Sequence, residues 1–128
     1  MPSKQEVASF IRATFRSVWA LELLCLLRQD RERSMSHVEM VSGLRGSDLV
    51  VTQSLAALAA AGLILVEEDG SARYAPAGDD LDRFVVKAEA LYASSPDAVR
   101  RMIVEAANPG LTAFADAFRL RKEKGPNL

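Results

Sequence analysis

Residues 36–76 constrain the fold of this chain more than any other stretch. They run SHVEMVSGLRGSD, LVVTQSLAALAAAGLI and LVEEDGSARYAP. Ser36 followed by Glu39 is a capping box, in which hydroxyl and carboxylate satisfy the free N–H groups of a helix start. Val38, Val41 and Leu44 then offer a short apolar face. Gly46 is the expected stop, because glycine tolerates the left-handed backbone at a helix end. Ser47 suits the N-cap of a second helix, and Asp48 favours its first turn through the helix dipole. Val51, Leu55 and Leu58 recur at i, i+4 and i+7 and set an inward stripe, and Gly62 ends the helix. Residues 63–66 are β-prone, Asp69-Gly70 is a strong hairpin turn, and residues 72–75 can return as the partner strand. Pro76 and Gly78 close the unit. The order is helix, tight turn, helix, hairpin.

Helices are expected on both sides of it. Ser3 and Glu6 form another capping box, so a helix starts at Lys4, with Val7, Phe10, Ile11 and Phe15 on one face. The stretch VWALELLCLLRQD is apolar nearly all round, the mark of a helix covered on several sides. Ser17 either caps that helix or sits inside one continuous helix, and the polar RQDRERS ends it. Further on, Leu81, Phe84, Val85, Ala88, Leu91 and Tyr92 make a strong stripe. Ser95-Pro96 opens another helix, whose apolar face is Val99, Met102, Ile103 and Ala106. Asn108-Pro109-Gly110 is a break. Leu111, Phe114, Ala115 and Phe118 make a last stripe, which runs into RLRKEK.

The segment SLAALAAAGLILVEEDGSARYAP resembles the recognition helix and wing of winged helix-turn-helix transcriptional regulators, the MarR-like, PadR-like and ArsR-like groups among them. In those groups a hydrophobic pair is followed by a short spacer, Gly, Leu and an apolar strand. Here these are Leu55, Leu58, Gly62, Leu63 and Ile64. The resemblance covers residues 18–76. It implies a mainly α fold with a small β-hairpin, a winged helix-turn-helix with N- and C-terminal helical extensions. It also implies a homodimer that binds double-stranded DNA, with helix 48–61 in the major groove and the wing on the backbone. A chain of 128 residues is of single-domain length. Within it, residues 1–16 are the N-terminal helix, 17–78 the winged core, and 79–128 the helices expected to dimerise.

Carried onto this sequence, the base contacts fall on Val50, Thr52, Gln53 and Ser54. Gln53 can pair bidentately with an adenine edge, and Val50 can touch a thymine methyl. Arg33, Arg45 and Arg73 are the candidate backbone contacts. The chain departs from the groups it resembles at one face. With Val51, Leu55 and Leu58 inward, Leu49, Val50, Gln53, Ala56, Ala57 and Ala60 turn outward. A typical reader carries Arg, Lys, Ser, Thr or Asn there. The wing tip is Glu67, Glu68 and Asp69, which repels phosphate. The competing expectation is a protein-interaction module without DNA binding, which uses Leu49, Val50, Ala56, Ala57 and Ala60 as an apolar docking face.

A net charge of −1 and a pI of about 5.8 exclude a general coater of DNA. The lone Cys25 lies in LELLCLL and reads as a small core residue. Neither CxxC, HExxH, a Gly-rich phosphate loop nor a local nucleophile pattern occurs, so no enzyme, metal or cofactor is expected. Trp19, Phe84, Tyr92, Phe114 and Phe118 are packing residues or, alternatively, the lining of a ligand pocket. The apolar run 18–27 contains Glu22 and falls short of the roughly 20 residues a membrane helix needs. MPSKQEV has no apolar signal core, and a cytoplasmic protein is expected.

Overall fold

The structure, a computed structural model, describes residues 2–108. Its order is α1 (Lys4–Thr14), α2 (Val18–Gln29), α3 (His37–Leu44), α4 (Asp48–Ala60), β1 (Ile64–Val66), β2 (Ala72–Tyr74), α5 (Asp79–Ser94) and α6 (Pro96–Ala107). This is a mainly α-helical fold with one small antiparallel hairpin. The expected stripe at residues 111–118 and the basic run after it lie outside the described residues.

Both expected capping boxes are present, at Ser3 with Glu6 and at Ser36 with Glu39. Ser17 caps a separate helix: its Oγ accepts the Ala20 N–H at 3.2 Å. Phe15 makes the break, extended in backbone and buried, with Phe10 edge-on to it and stacked on Phe84 at 5.1 Å. α2 is the central element. Ala20, Leu21, Leu23, Leu24 and Leu27 are all buried, because α3 and α4, β2 and α6 pack around it. Its polar positions are tied to α5. Tyr92 donates its hydroxyl to Glu22, while Arg28 pairs with Glu89 and lies 5.2 Å from the Tyr74 ring centroid.

α3 departs from expectation in two ways. Met40 is fully buried and Val38 is 77% exposed. Two residues along a helix are about 200° apart, so seating Met40 on the core turns Val38 into solvent. The left-handed residue at the helix end is Arg45 (φ 57°), one position before Gly46. The N–H groups of Arg45 and Gly46 both reach the Val41 carbonyl, so the helix closes one residue earlier than Gly46 would dictate. At Gly43 a Cβ would stand 2.9 Å from Leu26 Cδ2, the movable end of a half-buried side chain on α2.

In the hairpin Ile64 faces Tyr74, Leu65 faces Arg73 and Val66 faces Ala72. Gly70 takes positive φ in the turn, and Asp69 accepts from the Ser71 N–H at 2.9 Å. Met35 adds a third, one-residue strand. Its N–H donates to the Ala72 carbonyl at 2.7 Å, and the Ala72 N–H returns to the Met35 carbonyl at 2.9 Å. β2 is thereby held between β1 and the segment leading into α3. Tyr74 donates to Asp82 at 2.6 Å and fastens the hairpin to α5. Among the described residues no helix is long and apolar enough to cross a membrane.

Candidate docking face on α4

α4 starts at Ser47, whose Oγ accepts the Val50 N–H at 3.1 Å. The buried residues are Val51, Ser54, Leu55 and Leu58, spaced i, i+3, i+4 and i+7. That stripe fixes the opposite face. Leu49 is 64% exposed, and Thr52, Gln53, Ala56, Ala59 and Ala60 are exposed with it. Val50 and Ala57 sit half-buried at the margins.

The candidate residues therefore separate. Thr52 and Gln53 share the outer face. Ser54 is 4% exposed and belongs to the inner stripe, so it is corrected from a base contact to a core-facing residue. Leu49, Ala56 and Ala60 do share this exposed face, with Thr52 and Gln53 between Leu49 and Ala56 and with Ala59 beside them. No cation stands on the outer face of this helix.

The arginines are unevenly free. Arg33 Nε meets Asp30 Oδ2 at 2.5 Å and Nη2 meets Glu39 Oε2 at 2.5 Å, with a further bond to the Ser34 carbonyl. These partners raise its pKa and hold the Glu39 carboxyl down at about 2, with the Ser36 cap adding to the effect. Arg33 is thus committed to closing the loop between α2 and α3. Arg45, at the left-handed corner before α4, and Arg73, on the outer side of β2, are exposed. Facing them in charge are Asp48 in the first turn of α4, 3.0 Å from His37 Nε2, and Glu67, Glu68 and Asp69 at the hairpin tip. Two free cations thus accompany four carboxylates.

The apolar surface continues beyond α4. Trp19 is 43% exposed. A Cβ placed on Gly46 would lie 3.5 Å from Val50, 3.6 Å from Leu44 and 3.8 Å from Trp19, so these three side chains meet around that glycine. From there an open groove of about 400 Å³ with a mixed lining runs between α2 and α3, past Glu22, Cys25, Leu26, Gln29 and Gly43. Periodicity assigns Trp19 no direction, since α2 is apolar on most sides. Trp19, Phe84 and Tyr92 do not line one cavity: Trp19 edges this groove, Phe84 stacks on Phe10, and Tyr92 bonds Glu22. Phe114 and Phe118 lie outside the described residues. Burial, then the nearby Glu89 and Glu22, pushes the Cys25 thiol up to about 12, so it stays protonated and unreactive at neutral pH. Among the described residues no cluster of three or more side chains could hold a metal ion.

Comparison of the chain with family models, with curated proteins and with solved structures finds no match.

Proposed function

We propose that this chain is a winged helix-turn-helix module that works by docking on protein through α4, not by reading DNA. The order helix, Met35 strand, helix, helix, strand, strand supports the winged-helix reading. Function, however, must be argued from the site and not from the fold. The observation that carries the reading is the outer face of α4, which presents Leu49, Ala56, Ala59 and Ala60 and no Lys or Arg.

DNA affinity rests largely on cations placed against phosphates. Here Arg45 and Arg73 are outnumbered by Asp48, Glu67, Glu68 and Asp69. Short side chains suit protein docking, because alanine has no rotamer freedom to lose on binding. The fitting partner presents an apolar helical strip flanked by basic residues, which complement the carboxylates at the start of α4 and at the hairpin tip.

Sequence-specific DNA reading is the second possibility, favoured by the shared exposure of Thr52 and Gln53. Selection of genomic duplex fragments by the purified full chain at moderate salt separates the two. The docking reading expects no enriched motif. Recovery of a motif that Gln53→Ala abolishes would overturn it in favour of major-groove readout.

A further inference from the structure

Resting on the docking reading of α4, we infer that this face takes residues 111–124 of a second copy of the chain. Leu111, Phe114, Ala115 and Phe118 fall at i, i+3, i+4 and i+7, one stripe of a helical pattern. Arg119, Arg121, Lys122 and Lys124 follow, against Asp116 and Glu123. An apolar strip ending in positive charge is the complement of Leu49, Ala56 and Ala60 bordered by Asp48 and the Glu67–Asp69 tip.

A second apolar surface of the described residues does not fit this segment. A trough between α1 and the α5–α6 pair, of about 610 Å³ with an adjoining 300 Å³ hollow, has Leu91 and Met102 in its wall. Lys4, Arg12 and Lys87 line it and no carboxylate does, so it repels a basic tail.

Reach decides between the chain's own tail and that of a second copy. α6 packs on α1, α5 and α2, whereas α4 packs on α2, α3 and β1. The outer face of α4 points away from α2. At about 8–10 Å per helix packing, that face lies roughly 15–20 Å from α6. The three steps from Asn108 to Leu111 span at most about 10 Å. Three steps of chain therefore fall short of the same protomer's α4, and the face is assigned to the segment of a second copy. Reciprocal exchange about a two-fold axis satisfies both tails and closes the assembly as a dimer. An outside partner of the same chemistry then competes with the tail for α4.

The test is sedimentation velocity on the full-length chain. The wild type should sediment as a dimer. Leu49→Asp, at an exposed position, and the double variant Phe114→Asp/Phe118→Asp should each weaken dimerisation by about tenfold or more, roughly 1.4 kcal/mol. Mixing the two variants should restore a hetero-pair, since one keeps an intact tail and the other an intact face; a misfolded chain would not be rescued. A monomeric wild type, dimers insensitive to both variants, or failure of the mixture to pair overturns this inference. Those outcomes leave the docking reading standing, because that reading is overturned by DNA recognition through α4 and not by the loss of a dimer.

Discussion

Duplex DNA offered to this protein should bind with a salt slope set by the cations that α4 and the hairpin leave free. Arg45 and Arg73 are those cations, since Arg33 is held by Asp30 and Glu39. With about two phosphates neutralised per protomer and a slope of about −0.9 per phosphate, log K should fall with log salt at about −1.8. Raising salt from about 50 to about 200 mM then costs a protomer roughly 12-fold in affinity, where a reader with six to ten phosphate contacts loses about 10³–10⁵. Fluorescence anisotropy of a labelled duplex of arbitrary sequence across that range measures the slope. A reciprocal dimer doubles it to about −3.6. Arg45→Ala should halve the slope, to about −0.9 per protomer. A slope steeper than about −5 would mean that cations outside the α4 and hairpin surface hold the DNA, against the assignment made to Arg45 and Arg73.

Three further outcomes follow from the same geometry. Met40→Ala should cost about 2–5 kcal/mol in urea unfolding, as expected for emptying a fully buried site, and Val38→Ala less than about 0.5 kcal/mol; equal costs would mean that α3 is rotated from the orientation described. The Glu39 carboxyl is held at about 2, below its ordinary value, so its contribution to stability is present above about 4.5 and is lost as pH falls toward 2. Thermal melts across that window should therefore be flatter for Glu39→Gln than for the wild type, and identical pH profiles would remove the Arg33–Glu39 contact from the account. Cys25, its thiol pushed up to about 12, should resist alkylation at pH of about 8 in the folded chain, with about one thiol in 10⁴ ionised. Labelling at the rate of the unfolded chain would contradict the burial assigned to it.

What the sequence revealed was what is encoded locally. Both capping boxes, the Ser47 cap, the Asp69-Gly70 turn and the stripe at Val51, Leu55 and Leu58 each depend on residues within about two turns of one another, and each lies where it was expected. The misses need tertiary partners. α3 has eight residues, and that length admits a stripe through Val38 as readily as one through Met40 until α2 is placed against it. Ser54 is polar and carries no apolar signal for its inner position. The Met35 strand is one residue long, so no alternation could announce it. Arg33 reads as a free cation because Glu39, six residues on, becomes its partner only once the loop folds back on the α3 cap. Likewise, the outward list for α4 was legible from periodicity, but its continuation to Trp19 through Leu44 and Val50 was not.

The most direct test follows the backbone amides of the isotopically labelled Phe114→Asp/Phe118→Asp chain, whose own tail no longer fits α4, by NMR during two titrations, one with a wild-type peptide of residues 109–128 and one with duplex DNA at moderate salt. The peptide should shift the amides of Leu49, Gln53 and Ala56, and DNA should leave them in place. Shifts along α4 with DNA and none with the peptide would contradict the docking reading of α4.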